Sequence, residues 1–393
     1  MEMKIKKDSK IGIGVIFSVA AVLFSTHAGG GFATGNQETQ YFVSSGFSGV
    51  ISAILAMALY TMTIREAIVM KNSRDLKNYK ELFETLYHPF DKIEWIFEIY
   101  FHTMVICAVG AVIAGAASLI SATNIISYIP AVFLVSMVFL ILTIFGAKLI
   151  IKVSSVMSVI ILVSMFIIFF IGIKARTPIL IETINNFSFT GNSSMSKLIL
   201  KAFIYAGFQS VAIPTMISCS SVLKTDEQAT KSMVIAFVMN CIALIMAVLM
   251  LLAWAPEFIA AGQTTLPVLY VCKHLNITYL YWFYNIALFV CLISTGVSIL
   301  YGFVSKFSTT KTMMKIEKPI IRRIISSCLC MIVSISISML GLSKIVKYGY
   351  GYCGYVGIAI IVIPFLTVGV YKNRKFRQEE VVKNKESSVA FAK

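Results

Sequence analysis

The residues that could do chemistry gather in segment 25–40, STHAGGGFATGNQETQ. Four glycines, Gly29, Gly30, Gly31 and Gly35, stand beside His27, Thr34, Gln37 and Glu38 in the middle of an apolar run. Lipid supplies no hydrogen-bond partner, so bare N–H and C=O groups there cost several kcal/mol each. A break in such a helix survives only where protein buries it or a cavity uses it. Free N–H groups where the helix resumes suit an anionic group, and the carbonyls it leaves suit a cation. Gly31 and Gly35 also form a small-xxx-small pair, so helix packing is the competing reading. Three consecutive glycines favour unwinding. Thr34 and Gln37 match a capping box for the resumed helix. Glu38 then either supports that helix start or faces the cavity as a ligand for an amine or cation. A second interruption, YAGFQSVAIP at 205–214, places Gly207, Gln209, Ser210 and Pro214 in another apolar run. Pro214 removes a helix donor and crowds the preceding turn. Glu98 and His102 lie four residues apart, on one helix face. They form either a gate with nearby lysines or a proton relay.

The elements that must position these residues are membrane helices. Of 393 residues, 58% are hydrophobic and 13% charged. Soluble domains average about 45–50% apolar and about 25% charged residues. The excess falls in blocks long enough to cross a hydrocarbon core of roughly 30 Å as helix. Ten spans are expected: 11–43, interrupted near 26–35; 47–70; 93–120; 126–146; 150–173; 197–222, interrupted near 207–214; 231–254; 277–305; 320–341; and 352–371. The polar stretch 71–91 has room for a short surface helix. Segment 264–275 reads as a short amphipathic helix broken by Pro267. The first run alone could be a signal peptide, with Thr26-His27-Ala28 as a poor cleavage site. Its continuation into the glycine motif favours a span.

The net charge of +16 does not indicate nucleic acid. With the N-terminus in the cytoplasm, only Lys174, Arg176, Lys197, Lys201, Lys273, Lys344 and Lys347 of the 34 Lys and Arg residues fall outside. That asymmetry follows the positive-inside rule, with both termini cytoplasmic in a cell membrane. The eight cysteines show no CxxC pair and read as reduced apolar side chains. Domain organisation is a short tail (1–10), one membrane domain (11–371) and a basic, disordered cytoplasmic tail (372–393).

The two interruptions lie five spans apart. Because five is odd, the second half (197–371) must insert upside down relative to the first (11–173). This is an inverted repeat whose spans 1 and 6 meet near mid-depth. The fold expected is an all-α, five-plus-five integral membrane protein.

Gly29-Gly30-Gly31-Phe32-Ala33-Thr34-Gly35, followed by Gln37-Glu38, resembles the GAGFATGQE-like signature of the YkvI-type bacterial membrane proteins. That group resembles a branch of the amino acid–polyamine–organocation superfamily with the LeuT-like fold. The motif departs from GAG at Gly30 and inserts Asn36. The span order extends the resemblance over about residues 11–371. It implies a substrate pocket formed by Gly29, Gly30, Gly31, Phe32, Thr34, Gly35 and Glu38 of span 1 with Tyr205, Gly207, Phe208, Gln209 and Ser210 of span 6. His27 stands at the same break. It also implies a sodium ion between the span 1 break and a hydroxyl pair of span 8. Ser294 and Thr295 match that pair, with carbonyls near Ala28 and Gly31 completing the shell. Such hydroxyls also commonly bond their own helix. In some proton-coupled relatives a lysine in mid-span 5 replaces the ion; 158–168 contains none. No other metal or cofactor is expected.

A secondary transporter of a small solute, an amino acid or related zwitterion, accounts for all these features. No GxxxxGK[ST] motif supports an ATP pump. No cluster of acids, histidines or nucleophiles supports a membrane enzyme. A sensor or structural membrane protein is the remaining class. The expected partners are a small solute and the lipid bilayer, not nucleic acid, and oligomeric state is not encoded legibly.

Overall fold

A computed structural model describes residues 12–186, 194–308, 310 and 312–391, without the side chains of 146–158 and 383–391. The N-terminal tail, 1–10, lies outside the described residues. Among the described residues eight helices are long and apolar enough to cross a membrane, the bent pair at 159–185 makes a ninth, and the broken first run fills the place of the tenth expected span. Span 1 is broken: Ile13–His27 ends at Ala28, the chain extends at Gly29, and helix resumes at Gly30–Ala33 and Asn36–Tyr41. Spans 2, 3 and 4 are Ser48–Ser73, Asp91–Ser121 and Tyr128–Phe145. Span 5 is the helix Ala147–Ala175, which bends by 75° into Thr177–Asn185. Spans 6 to 10 are Met195–Val222, Asp226–Ala260, Thr278–Phe307, Pro319–Ser338 and Leu342–Val382.

The packing is symmetric under exchange of each span with the one five later. Span 1 packs on span 7, and span 6 on span 2. Span 8 packs on span 5, and span 3 on span 10. Spans 2 and 7, and spans 3 and 8, pack on each other and so map onto themselves. An inverted repeat about an axis in the membrane plane gives this pattern. Ser232, near the start of span 7, bonds the Ile16 carbonyl at 3.0 Å, and Arg377 pairs with Asp226. Both ends of the described chain therefore lie on one face, called here the terminal face.

Without a hydrophobic drive between helices in lipid, close contact comes from small residues. Gly207 of span 6 crosses Gly354 and Gly357 of span 10. A Cβ at Gly207 would sit 2.3 Å from the Gly354 carbonyl oxygen. A Cβ at Gly357 would sit 2.4 Å from the Gly207 oxygen. Outward-facing Phe133, Met137 and Phe170 are exposed and belong against lipid.

Three expectations change. Pro267 does not break the 264–275 helix; it starts it, at Pro267–His274, because its missing N–H is an orphan of the first turn. Span 10 begins at Leu342, directly after Gly341 at φ +83°. The tail after 371 continues as helix to Phe391. Lys372 Nζ donates to the carbonyls of Thr85, Leu86 and His88 at 2.9, 3.1 and 2.8 Å, capping the surface helix Tyr79–Tyr87. Arg74 donates to Asn373 Oδ1 at 2.9 Å. These bonds hold the tail against the protein.

Substituting Gly354 by Ala forces a Cβ within 2.5 Å of the Ile204 carbonyl oxygen. Overpacking of this kind costs about 1–3 kcal/mol. G354A should lower the thermal unfolding midpoint of the purified protein measured by circular dichroism. G14A, where nothing lies within 4 Å, should not.

Candidate functional site

The break in span 1 follows from its glycines. Gly29 is extended, at φ −80° and ψ −164°. Gly35 takes φ +77°, a conformation glycine adopts without Cβ strain. The same glycine touches the helix Pro267–His274: a Cβ there would meet Val268 Cγ2 at 2.7 Å. The expected capping box does not form. Gly35 is the N-cap, Thr34 Oγ1 donates to the Gly31 carbonyl at 2.7 Å, and the Asn36 N–H donates to Thr34 Oγ1 at 3.2 Å. Gln37 folds back instead, so that a Cβ on Gly31 would lie 2.4 Å from its Nε2.

The second interruption is milder than the first. The helix Met195–Gln209 tightens into one 3₁₀ turn at Ser210–Ala212 and resumes at Ile213–Cys219. Pro214 cannot donate to the Ser210 carbonyl, so Ile213 N–H takes it one residue early. Tyr100 Oη of span 3 donates to the Gly207 and Phe208 carbonyls at 2.6 and 3.1 Å, just before the tightened turn. Tyr284 Oη of span 8 does the same for Ala33 in span 1, at 2.6 Å.

A cavity of about 390 Å³ opens beside the break, between spans 1, 3, 6 and 8. Span 1 contributes Thr26, His27, Gly29, Gly30, Gly31, Phe32 and Gln37. Span 6 contributes Gln209, Val211, Ala212 and Thr215, and span 8 contributes Thr295, Ser298 and Phe303. Phe101, Met104 and Val112 of span 3 complete the wall with Tyr350 of span 10. Among the described residues no Asp, Glu, Lys or Arg lines it. The N–H groups of Gly30, Gly31 and Phe32 precede the first bond of the resumed helix, from Ala33 N–H to the Gly29 carbonyl at 3.0 Å.

The expected site residues divide. Gly29, Gly30, Gly31, Phe32, Gln209 and Thr295 reach the cavity. Thr34, Gly35 and Glu38 lie behind it, buried. Gly207 faces span 10, and Ser210 returns its hydroxyl to the Ala206 carbonyl at 2.7 Å. Tyr205 and Phe208 join Tyr41, Phe42 and Tyr350 in an aromatic seal, with ring centroids 4.9–5.7 Å apart. Beyond it, Asn36 Nδ2 donates to Thr264 and Thr265 carbonyls at 3.0 Å. The seal therefore closes the face opposite the termini. His27 Nε2 lies 2.9 Å from Tyr205 Oη, and Gln209 Nε2 donates to the same oxygen at 3.3 Å. Ser294 donates to the Cys291 carbonyl at 3.0 Å, the local bond expected of such hydroxyls. Ala28 is buried at the break itself.

At the terminal end, Lys306 Nζ of span 8 meets Glu98 Oε2 of span 3 at 2.7 Å. The pair lies one turn from the cavity residues Phe101 and Phe303. His102 donates through Nδ1 to the Glu98 carbonyl at 2.6 Å and stands edge-on to Phe303. Lys80 pairs with Glu94 at 3.2 Å in the same region.

Known structures share this fold. The chain is similar to MhsT in complex with L-phenylalanine, at 14% identity over 88% of this chain and 87% of that one, with a TM-score of 0.58. It is similar to the inward-facing conformation of Mhp1, at 11% identity over 89% and 76% of the two chains, with a TM-score of 0.52. It is also similar to the manganese transporter of Eremococcus coleocola in complex with an aromatic bis-isothiourea substituted compound. That match has 13% identity over 94% and 88%, with a TM-score of 0.52. The fold is LeuT-like. No family model and no curated protein matches the chain in sequence. Identities this low establish fold alone. The LeuT-like frame puts the glycine break of span 1 and the tightened turn of span 6 side by side around the cavity, as the five-span offset requires.

Replacing Gly35 by Ala strains a residue held at φ +77° by about 1–2 kcal/mol and drives its Cβ into Val268. G35A should speed amide hydrogen exchange across 264–275. Adding V268A should recover part of that loss, because the two substitutions share one contact.

Proposed function

We propose that this protein is a secondary active transporter that moves a small zwitterionic solute, an amino acid or close analogue, by alternating access. The observation that carries this reading is the cavity at the span 1 break. Its volume falls in the range of roughly 300–1,000 Å³ typical of small-ligand sites. Its described lining includes no Asp, Glu, Lys or Arg. A net-neutral solute fits such a wall, with its carboxylate on the N–H groups at Gly30–Phe32 and its ammonium on the carbonyls that end Ile13–His27. Gln37 and Gln209 offer further polar contacts, and Phe32, Phe101 and Phe303 offer apolar ones. The neighbouring folds named above include an amino acid complex and a metal ion transporter, which supports transport as the use of this frame.

The seal on one face and the Glu98–Lys306 pair on the other form two gates around one site. Glu98 acts as the gate carboxylate. His102 Nδ1 donates to the Glu98 carbonyl and lies 3.6 Å from Glu98 Oε2, which supports a part for His102 in holding that gate. Sodium is the proposed coupling ion, held by Thr295 and Ser294 of span 8 with the carbonyls of Ala28 and Gly31. Thr295 reaches the cavity beside the break, which supports this placement. Ser294 would turn from the Cys291 carbonyl to join the shell. Both termini are placed in the cytoplasm, so the cavity seen here faces inward.

Proteoliposomes should accumulate a pool of labelled neutral amino acids when a sodium gradient is imposed. T295V should cut the sodium-dependent component by roughly tenfold, as loss of one ligand worth about 1.4 kcal/mol requires. Equal stimulation of both proteins by sodium would remove Thr295 from the ion site. Opening the terminal gate with K306M should raise the rate at which a cysteine placed at Thr215 reacts with a charged thiol reagent.

A further inference from the structure

Glu38 has no place in the cavity, yet it is the most deeply buried carboxylate described in the protein. Its side chain is 0% exposed, and neither carboxylate oxygen has a hydrogen-bond partner. It stands in the second half of span 1, in Asn36–Tyr41, behind the aromatic seal. The ionisable groups facing it are the phenols of Tyr205 from span 6 and Tyr284 from span 8, with Cys272 and Cys291 beyond Tyr284. Span 7 offers the uncharged Asn240 beside His27, and span 10 presents Lys344 and Lys347 only at the exposed surface. Among the described residues no cation pairs with the carboxylate. A buried charge left unpaired neutralises itself rather than persist.

We propose that Glu38 is a proton-binding site of the transport cycle, loaded in the conformation seen here. Two features of the fold make the site switchable. First, the carboxyl sits on the element that forms the closed gate, through the Asn36 bonds to Thr264 and Thr265. When that gate opens, water from the face opposite the termini reaches the emptied carboxylate of Glu38. When it closes, the carboxyl takes up a proton from the face opposite the termini. Second, a polar chain leads from Glu38's neighbour to the cavity. Tyr205 Oη contacts His27 Nε2 at 2.9 Å and accepts from Gln209, and both of those residues line the cavity. Glu38 makes no bond to Tyr205 in this structure, so the proton is held. Release follows when span 1 shifts and the two meet. The Glu38 proton then passes to the Tyr205 oxygen as the Tyr205 hydroxyl proton leaves to cavity water beside Gln209, which leaves a carboxylate and a neutral phenol. The net movement is one proton inward per closure, in the same direction as solute.

The protonated site stands on burial and geometry alone; its coupling role rests on the transport reading above. Infrared difference spectroscopy of the purified full chain tests the first part without any solute. The wild type should show a protonated-carboxyl C=O stretch at pH 7 that E38Q lacks. E38D should shift that band without abolishing it, which covers the case in which E38Q does not fold. Absence of the band in wild type, or its persistence in both variants, overturns the proposal. Uptake of the labelled neutral amino acid pool tests the second part. An acid exterior should stimulate the wild type at least fivefold. E38Q should retain solute exchange but lose that stimulation. Equal stimulation of E38Q overturns the coupling role. A wild type that moves none of the pool, with the band present, removes the transport reading for these solutes and leaves the proton site standing.

Discussion

The structure depends on one constraint: every peptide group left bare at the span 1 break must find a partner inside a medium that offers none. The partners come from four directions. Thr34 serves the Gly31 carbonyl, and Tyr284 serves Ala33. Val268 N–H reaches the Thr34 carbonyl at 3.4 Å, and Ala28 N–H returns to Phe24 at 2.8 Å. Tyr100 performs the matching service for span 6. Once these bonds are made, the groups still turned toward the cavity are the ones a solute could engage. The break is thus held open by its surroundings, and its placement at mid-depth follows from where those surroundings lie.

That arrangement also explains the asymmetry between the two faces. On the side opposite the termini, the resumed half of span 1 is fastened to the helix Pro267–His274 through Gly35 and Asn36 and covered by stacked aromatic rings. Such rings add roughly 0.5–1.5 kcal/mol per pair beyond the area they bury. On the terminal side, one ion pair between half-exposed partners guards the mouth. Exposed pairs of this kind are worth about 0–1 kcal/mol. A strong closure on one face and a weak one on the other is what a protein resting in one of two access states should show. The inverted repeat makes the same packing contacts recur with the two halves exchanged.

Much of this was legible in the sequence, and the exceptions share a cause. Ten spans, the glycine break and the five-span offset are local or periodic properties, so apolar run length and glycine spacing suffice to find them. Glu98 stood out because charge in a span is costly. Gly207 was misplaced because a glycine that lets span 10 approach looks the same in sequence as one that unwinds a helix. Tyr205 and Phe208 read as pocket residues but form the seal, since depth along a span is visible and rotation about it is not. Tyr100 and Tyr284 gave no signal at all: each looks apolar until its hydroxyl meets a carbonyl 107 or 251 residues away. The tail read as disordered because its composition is polar, while its order comes from Lys372 and Arg74 finding carbonyl and amide partners across the fold.

Alternating access requires that the span 1 break be reached from one face at a time, and from both over a cycle. Replace the eight native cysteines by serine, place one cysteine at Ala212 in the cavity wall, and expose oriented vesicles to a membrane-impermeant thiol reagent from each face in turn. Labelling from both faces, with a neutral amino acid protecting against each, is the expected result. A cysteine at Ala212 that reacts from one face only, under every condition that shifts the other positions of the protein, contradicts the account.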